Sequence, residues 1–446
     1  MTRISAEWLN GPSKQVCAML TDAGYQAWFV GGCVRNALID APVSDLDIST
    51  DARPEAVMKI AKSWGLRVVP TGIEHGTVTV VVEGTPFEIT TFRRDVATDG
   101  RRAVVAFADT MEEDARRRDF TMNALYCDID GEVADPLGGL PDLEARRVRF
   151  IDDADQRIKE DYLRILRFFR FHAWYGDVDG GIDADGLAAC AENIDGLVGL
   201  SKERVTAELL KLLSAPDPAP AVASMGAAGV LGQILAGAAP QILAVLVHVE
   251  GQAGLAPYPI RRLVALGGVR DGLRLTNAQE KRIELLVSDA SLPALAFERG
   301  AEIAIDRAAI EAASLGHEIS AKALRSRGEL PARYLTSTLT PAEFLAQLAP
   351  QASEFSGFNL LLGNDKELWH YNPRSGAPRP LPAGVYGVSN ADLDSPWPKL
   401  LRARHGLQQA LSADDEALFA LLNDPQRDAD AELPETGVGL EIERLL

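Results

Sequence analysis

A run of bulky apolar and basic residues near position 160 constrains the fold of this chain more than any other segment. It reads KEDYLRILRFFRF and occupies 159–171. Its Leu, Ile and Phe residues do not alternate with polar ones as in a half-buried strand, so their spacing predicts a helix. An acid and three arginines recur at every third position of this helix: Asp161, Arg164, Arg167 and Arg170. Because each residue turns a helix by about 100°, these four side chains form a slanting polar ridge beside an apolar face.

The polar ridge has two interpretations. A carboxylate next to a guanidinium offers an acceptor and a donor together, which can read the edge of a nucleobase without a nucleic-acid template. The alternative is that Asp161 and the arginines pair with one another on an exposed helix face. The helix alone leaves both open.

Length and charge limit the class of protein. The chain has 446 residues, too many for one ordinary core, which predicts two to four domains. Its net charge of −19 argues against a protein that coats nucleic acid through bulk positive charge. Arginines nevertheless cluster, for example at 116–118 and 146–149. A nucleic-acid partner would therefore bind to a local basic patch.

No segment of the sequence predicts export or a membrane span. The four cysteines have no metal-ligand spacing and the N-terminus lacks an apolar signal segment, which predicts a cytoplasmic protein with reduced thiols. The uncharged stretch 218–249 is interrupted by Pro220, Pro240 and several glycines. It predicts two short buried helices and no membrane association.

The pattern of helices and strands divides the chain into four parts. Residues 1–135 alternate short helices with β-like runs such as TVTVVV and predict a small mixed α/β domain. Residues 136–200 predict a neck that carries the helix described above, and 201–323 predict a helical body. Residues 324–446 contain aromatic residues, β-like runs and turns with proline and glycine, which predict a separate α+β unit.

Two local features of these parts carry their own predictions. The polar, glycine-containing segment 95–103 predicts a mobile loop within the first domain. The segment SKERVTAELLKLL predicts a helix over 201–213 with Ser201 as its N-cap.

Asp45 and Asp47, in SDLDIST, are the leading candidates for a catalytic centre. Two residues apart on a strand, their side chains project to one face. Neighbouring carboxylates repel unless a cation lies between them, and Mg²⁺ prefers such oxygen ligands together with substrate phosphates. Two ions about 3.5–4 Å apart would stabilise the attacking and leaving oxygens of an in-line displacement. A DxD pattern alone is weak, because it also occurs in loops and in glycosyltransferases.

Three further segments add candidates, each with a structural alternative. Gly31 and Gly32 precede a helix and would let backbone amides approach a triphosphate, with Arg35 adding donors, although the pair also fits a plain turn. Glu88 is a candidate third carboxylate on a neighbouring strand or an ordinary exposed strand residue. The arginines 116–118 run directly into an apolar segment, which favours a triphosphate partner over a solvated turn.

Together the motifs resemble the class II nucleotidyltransferase family, which holds bacterial CCA-adding enzymes and poly(A) polymerases. Seven segments match in order and spacing: GGCVR, SDLDIST, GTVTV…FEITTFRRD, RRRDFTMNAL, DPLGGLPDLEARRVRFI, RIKEDYLRILRFFRF and SKERVTAELL. They cover about 30–213, and weaker similarity continues to about 320.

The resemblance implies an α/β nucleotidyltransferase head with a small mixed sheet, followed by an all-α neck and body. It implies that Asp45 and Asp47 bind Mg²⁺, with Glu88 as the candidate third catalytic carboxylate. It assigns contacts with CTP and ATP to Gly32, Arg35, Arg118, Asp161, Arg164, Arg167 and Arg170.

The implied reaction is addition of CCA to the 3′ end of tRNA. The tRNA 3′-hydroxyl attacks the α-phosphate of CTP or ATP, and pyrophosphate leaves. Asp161 and Arg164 would pair with the incoming base, while Glu203 and Arg204 would brace their helix. No DNA partner is expected.

Two departures from the family pattern are local. Asn36 stands where the family has Asp in GGxVRD, and Tyr162 stands where it has Pro. Poly(A) polymerase is the alternative within the class, but bacterial members carry an arginine-rich segment of GRRFRL type after the carboxylate pair. Here that region reads EGTPFEITTFRRDV, which favours CCA addition.

From about residue 324 the sequence is similar to a second family, the NRDE or transport and Golgi organisation family. The similarity rests on RSRGELPARYL, GFNLLLGNDKELWHYNPRSG, GVYGVSNADLDSPWPKLLRAR and LPETGVGLEIERLL. It implies part of an N-terminal-nucleophile hydrolase fold. The family's leading segment is absent and the chain stops at Leu446, where such sequences run on. We therefore expect an incomplete α+β domain without activity, a tRNA-gripping tail that lacks a part, and a chimeric chain rather than a natural fusion.

Three functions follow from these patterns. The first is a metal-dependent tRNA nucleotidyltransferase, the second a non-catalytic RNA-binding scaffold, and the third a hydrolase-like C-terminal module. The intact DxD and EDxxR motifs favour the first over the second, and the missing nucleophile segment argues against the third.

Overall fold

The computed structural model describes residues 2–98, 103–177, 179–290, 292–315, 329–355, 358–389 and 392–410. The chain divides into two compact units. The first comprises Met1–Ser288 with Ala313–Gly316, and the second comprises Asp289–Ala312 with His317–Leu446.

The first unit begins with a mixed sheet of seven strands. The strands of this region are β1 (Trp28–Val30), β2 (Asp47–Thr50), β3 (Arg67–Gly72), β4 (Thr77–Val82), β5 (Thr85–Thr91), β6 (Arg93–Thr98), β7 (Ala103–Phe107), β8 (Tyr126–Cys127) and β9 (Val133–Ala134). The seven-stranded sheet has the order β3-β4-β5-β2-β1-β8-β9, and β2 and β5 are its parallel pair. The predicted small mixed sheet is confirmed.

Four helices accompany this sheet: α1 (Pro12–Thr21), α2 (Gly32–Leu38), α3 (Pro54–Ser63) and α4 (Met111–Arg116). The alternation in TVTVVV buries Val78, Val80 and Val82 of β4, and this strand packs against α1 and α3. Burial of one strand face against helices fixes the register of the strand, because a slip of one residue would expose all three valines.

Strands β6 and β7 form a separate antiparallel hairpin. The predicted loop over 95–103 is therefore wrong at both of its ends, since 95–98 belong to β6 and Ala103 begins β7. The residues between the two strands, 99–102, lie outside the described part of the chain. Antiparallel backbone pairing with β7 makes residues 95–98 a strand, which their polar sequence did not indicate.

The neck contains α5 (Leu140–Glu144), α6 (Ala154–Glu160), α7 (Leu163–Tyr175) and α8 (Ala184–Glu192). One continuous helix through 159–171 was predicted, but the chain breaks at Asp161, whose φ of −155° and ψ of 104° are extended. The Asp161 side chain stabilises the break, because its Oδ1 accepts the amide of Leu163, 3.1 Å away, at the start of α7. Asp161 thus lies at a helix junction, and only the three arginines share α7.

Aromatic packing fixes α7 against the head. The Phe120 ring lies 5.0 Å from the ring of Phe150 and 4.9 Å from that of Phe171 on α7. Phe150 also stacks on Phe168, with centroids 5.3 Å apart. These side chains are buried, so the arginine-bearing face of α7 has a fixed orientation toward the head.

The body is helical, as predicted. It contains α9 (Lys202–Leu213), α10 (Ala219–Ala227), α11 (Val230–Ile234), α12 (Pro240–Gln252), α13 (Pro259–Leu266) and α14 (Asn277–Val287). Ser201 is the predicted N-cap of α9, since its Oγ accepts the amide of Arg204. The stretch 218–249 holds three helices rather than two, because Gly229, with φ of 78°, separates α10 from α11. In the part of the chain that the structure describes, no helix is long and apolar enough to cross a membrane.

A buried ion cluster fixes the C-terminal end of α9. The Arg262 guanidinium is 1% exposed, pairs with Glu250 at 2.7 Å and donates to the backbone carbonyls of Leu213 and Ala215. Arg261 pairs with the other oxygen of Glu250 at 2.8 Å. Cationic donors at a helix C-terminus satisfy carbonyls that have no partner within the helix, so α9 is held at this end.

The elements after Ser288 are α15 (Leu292–Arg299), α16 (Ala301–Leu315), α17 (Glu329–Leu335), α18 (Pro341–Leu348), β10 (Leu360–Gly363), β11 (Leu368–Tyr371), β12 (Arg379–Pro380) and α19 (Pro398–Ala410). The three strands form one small antiparallel sheet in the order β10-β11-β12. A core that includes Phe344, Leu345 and Tyr371 links α18 to this sheet. The predicted α+β character is confirmed. The predicted segment LPETGVGLEIERLL falls outside the described residues.

Candidate functional site

A cavity of about 430 Å³ lies in the first unit. Its lining residues come from the start of α2, from β2, from the segment after α4 and from the junction of α6 with α7: Gly31, Gly32, Arg35, Asp47, Arg117, Arg118, Asp119, Asn123, Asp161, Arg164, Arg167 and Phe171. Five arginines face three aspartates here, although the chain as a whole is strongly acidic. The cavity is thus a local cationic site.

The predicted site residues separate into two groups by position. Seven of them line the cavity: Gly32, Arg35, Asp47, Arg118, Asp161, Arg164 and Arg167. Asp45, Glu88 and Arg170 are not among the lining residues.

The glycine pair allows Arg118 to approach the backbone. Gly31 has a φ of 73°, and a Cβ at this position would lie 3.3 Å from Nη1 of Arg118. Residues other than glycine rarely adopt such a φ, and a Cβ would also crowd the guanidinium. The glycine therefore shapes the cavity wall.

Arg118 is held by a buried acid that the motif analysis did not single out. Its Nη2 donates to Oδ2 of Asp114 at 3.1 Å and its Nε to the Tyr126 hydroxyl at 3.3 Å. Asp114 is fully buried and also accepts from Nε of Arg117 at 2.9 Å. Burial raises the pKa of the Asp114 carboxyl, but the charges of Arg118 and Arg117 and the Tyr126 hydrogen bond outweigh it and hold this pKa well below its usual range.

Arg167 is held in the same way by Asp119. Its Nε donates to Oδ2 of Asp119 at 2.7 Å, while Oδ1 of Asp119 accepts from Nδ2 of Asn123 at 2.8 Å. Burial raises the pKa of the Asp119 carboxyl, but the Arg167 charge and these hydrogen bonds hold it well below its usual value. Arg170 turns away from the cavity and pairs with Glu208 of α9. Arg170 is thus a support for α7 rather than part of the cavity wall.

The EDxxR segment does not pair its aspartate with its arginine side chain. Nη1 of Arg164 donates to Oε2 of Glu160 at 2.6 Å, and Nη2 donates to the carbonyl of Arg117 at 3.0 Å. Oδ2 of Asp161 accepts instead from Nη2 of Arg204 at 2.7 Å. The prediction that Arg204 braces this segment is confirmed. Pairing of Asp161 with the arginines of its own helix, the alternative from the sequence, is wrong for the side chains.

Asp45 and Asp47 lie at the start of β2. The strand begins at Asp47, and Asp45 lies two positions before it. Asp47 and Glu88 are aligned across the parallel pair β2–β5. Burial raises the pKa of the Asp47 carboxyl, Arg118 lowers it in part, and the nearby charges of Glu88 and Asp45 raise it further.

The acidic residues at the start of β2 fit a metal ion that has two carboxylate ligands. No group of three or more His, Cys, Asp or Glu side chains that could hold a metal ion is found within the described ranges. Asp47, however, has two acidic neighbours and a raised pKa, and a cation would relieve this repulsion. Mg²⁺ commonly uses one or two protein carboxylates and completes its coordination with water and phosphate oxygens.

Sequence reasoning missed several residues that shape the site. Asp114 lies three and four positions before Arg117 and Arg118, a helical spacing that could have revealed it. Glu203 was predicted to brace the neck helix. The residue that does so is Glu208, one helical turn after Arg204, which pairs with Arg170. Tyr175 contacts Arg35 from outside every motif, and no local sequence signal marks it.

Comparison with known families confirms the resemblance read from the sequence. Residues 27–149 match the family described as Poly A polymerase head domain, and residues 181–244 match the Probable RNA and SrmB-binding site of polymerase A. Residues 308–446 match Transport and Golgi organisation 2. The second similarity therefore begins earlier than the predicted boundary near 324.

Curated relatives match somewhat less than half of the chain. The human mitochondrial CCA tRNA nucleotidyltransferase 1 is 41% identical over 201 residues, which cover 45% of this chain and 46% of that protein. The CCA-adding enzyme of Streptococcus pyogenes is 45% identical over 203 residues, or 45% of this chain and 49% of that one. The chain spans about half the length of the curated relatives that it matches.

Solved structures show the same fold. The Bacillus stearothermophilus CCA-adding enzyme in complex with CTP is 28% identical, with a TM-score of 0.54, covering 76% of this chain and 82% of that one. The Thermotoga maritima CCA-adding enzyme complexed with tRNA has a TM-score of 0.51 at 18% identity, covering 79% and 94%. This second likeness concerns the fold alone.

Proposed function

We propose that this chain adds CCA to the 3′ end of tRNA from CTP and ATP without a nucleic-acid template. The observation that carries the proposal is the cavity in which Arg118, Arg164 and Arg167 face Asp47. A nucleoside triphosphate places its negative phosphates against guanidinium groups and requires a divalent cation, so one ligand suits both walls. The relatives named above, all CCA-adding enzymes, support the same activity.

The arginines would bind and orient the triphosphate. Arg118 and Arg167 are fixed by buried carboxylates and therefore lose little freedom when an anion binds. Gly32 and Arg35 line the same cavity and would contact the phosphates or the sugar. Arg170 would act on the nucleotide only through α7, because it does not line the cavity.

Asp161 and Arg164 would select the incoming base. Both line the cavity, and each already has a partner, Arg204 for Asp161 and Glu160 for Arg164. These partners hold an acceptor and a donor side by side at the cavity wall. A cytosine or adenine edge presents the complementary donor and acceptor groups.

Asp45 and Asp47 would hold Mg²⁺, and Glu88 would adjust the charge of Asp47 from the neighbouring strand. Bound Mg²⁺ would stabilise charge that develops on the phosphate oxygens. The carboxylates would orient this cation beside the 3′-hydroxyl of the tRNA, whose oxygen attacks the α-phosphate while pyrophosphate leaves.

The same proposal fixes partners and location. The partners are the 3′ end of tRNA, CTP and ATP, with neither DNA nor a membrane involved. A cytoplasmic location agrees with four free, buried cysteines, although two relatives bear mitochondrial names. No activity is proposed for the second unit.

An incorporation assay tests the proposal. Purified protein is incubated with Mg²⁺ and tRNA lacking its CCA end, with CTP alone, ATP alone or both. We expect two cytidines from CTP alone and a completed CCA end from the mixture. Long A tails from ATP would replace the proposal with polyadenylation. No incorporation in any lane, from a protein that still binds tRNA, would leave an RNA-binding scaffold.

A further inference from the structure

The guanidinium of Arg35 is held by neutral groups. Nη1 donates to Oδ1 of Asn123 at 2.5 Å, Nη2 donates to Oδ1 of Asn36 at 2.8 Å, and Nη2 also donates to the Tyr175 hydroxyl at 2.8 Å. Nε donates to Asn36 as well, at 3.1 Å. Three side chains from separate segments therefore fix one cation.

Arg35 differs in this respect from the other arginines of the cavity. Arg118, Arg164 and Arg167 each form an ion pair with a carboxylate. Among the residues that the structure describes, none of the ion pairs involves Arg35, although the Asp119 charge acts on it from farther away. Its charge is consequently the least compensated among the arginines of the cavity wall.

Tyr175 orients this cation in two ways. The Arg35 guanidinium carbon lies 3.9 Å from the centroid of the Tyr175 ring, and the same side chain accepts a hydrogen bond through its hydroxyl. Stacking limits the tilt of the guanidinium plane, and the hydrogen bond limits its rotation within that plane. Tyr175 is the last residue of α7. Its contact with Arg35 therefore connects α2 to the helix that carries Arg164 and Arg167.

We propose that Tyr175 is a positioning residue that presents the Arg35 charge to the phosphate groups of a nucleoside triphosphate. The inference rests on the proposed function, because it takes the nucleotide as the ligand of the cavity. Removal of Tyr175 leaves Arg35 with two amide partners and the more distant ring of Phe171, whose centroid is 5.2 Å from the guanidinium carbon. The guanidinium then gains freedom that it must lose again on binding, and nucleotide affinity falls.

Equilibrium binding of CTP to the full chain in the presence of Mg²⁺ tests this role. Tyr175→Leu should weaken binding about tenfold, because it removes the ring contact with the guanidinium as well as the hydrogen bond. Tyr175→Phe keeps the ring and should weaken it by about threefold, which corresponds to one modest hydrogen bond. Steady-state assays should show the loss in KM for CTP, while kcat at saturating CTP is retained.

A neighbouring aromatic residue provides the matched control. Trp174 lies one position earlier on α7, is 41% exposed and donates to the carbonyl of Lys211 rather than to the cavity. Trp174→Leu should leave CTP affinity unchanged. An equal loss in Trp174→Leu and Tyr175→Leu would show a general effect on the end of α7 and overturn the proposal.

A second substitution tests whether Tyr175 acts through Arg35. Asn36→Asp places a charged acceptor on the same guanidinium edge, which can orient Arg35 without the tyrosine. The affinity loss caused by Tyr175→Leu should therefore be at least about threefold smaller in the Asn36→Asp background, a coupling expected for residues that share a partner. Equal losses in the two backgrounds would overturn the proposal.

The wild-type protein separates this inference from the function on which it rests. Absence of CTP binding by the wild-type chain would overturn the proposed function. Normal wild-type binding with unchanged affinity in Tyr175→Leu would overturn the role of Tyr175 alone.

Discussion

The two sides of the cavity differ in how their charges are satisfied. On the arginine side, Arg118 and Arg167 are anchored by Asp114 and Asp119, whose pKa values are held well below the usual range. On the carboxylate side, Asp47 has acidic neighbours and a raised pKa. Apart from Arg35, the arginine wall is electrostatically complete within the protein, whereas the carboxylate wall retains repulsion between neighbouring acids. A cavity of this kind would suit the ligand of the proposed function, an anion that brings its own divalent metal.

Substitution of an acid on the carboxylate side should have the largest effect on nucleotide incorporation. Asp45→Ala should lower nucleotide incorporation by more than about 1,000-fold, because electrostatic stabilisation at a reacting phosphate contributes several kcal/mol. The melting temperature should stay close to that of the wild type, since Asp45 is exposed. Asp22→Ala, which changes another exposed acid, should retain activity. Retained turnover in Asp45→Ala would remove the metal role from this pair.

Removal of a carboxylate that anchors the arginine side should act mainly on the stability of the fold. Asp119→Ala leaves the Arg167 charge without its buried partner and should lower the free energy of unfolding by about 3 kcal/mol, measured by urea denaturation. Asp109→Ala removes an acid that is 86% exposed and paired with Arg53, and its effect should be close to zero. Similar unfolding curves for both variants would contradict the difference between the walls.

The contributions of Asp114 and Asp119 to stability should depend on pH with the opposite sign to that of Asp47. Asp114 and Asp119 have folded pKa values below the unfolded value near 3.9, so their contribution is present above about pH 4 and is lost as the pH falls further. The folded pKa of Asp47 is raised, so its contribution is present below about pH 4 and is lost as the pH rises through the folded pKa.

Urea unfolding between pH 3 and pH 8 measures this difference. Asp47→Asn should raise the free energy of unfolding at neutral pH, by less than Asp119→Ala lowers it. A lower neutral-pH stability in Asp47→Asn would mean that the Asp47 charge is satisfied within the protein.

Substitution of Glu88 should have the smallest effect, and it tests whether the metal ion has two carboxylate ligands or three. Glu88→Gln should lower incorporation by less than about tenfold, because an exposed charge that acts on Asp47 across the strand pair contributes about 1 kcal/mol at most. Comparison at equal Mg²⁺ with Asp45→Ala provides the scale. A loss as large as that of Asp45→Ala would place Glu88 among the metal ligands.

Much of the cavity could be predicted from the sequence because its residues lie in short segments with local rules. The glycine pair, Asp47 and two arginines of α7, Arg164 and Arg167, were each marked by spacing or by a turn signal, and all of them line one cavity. Arg170 was marked by the same spacing yet faces α9, because a step of three residues drifts around the helix and the last member leaves the shared face.

The sequence by itself determined the order of the elements, the apolar face of α7 and the identity of the charged groups, since these depend on periodicity and residue type. Only the tertiary structure decided which charge meets which. Asp161 pairs with Arg204, Asp119 with Arg167, and Tyr175 with Arg35, over separations of 43, 48 and 140 residues. Hydrogen bonds and ion pairs act over a few ångströms, and chain distance carries no information about that proximity until the head, the neck and α9 have packed together.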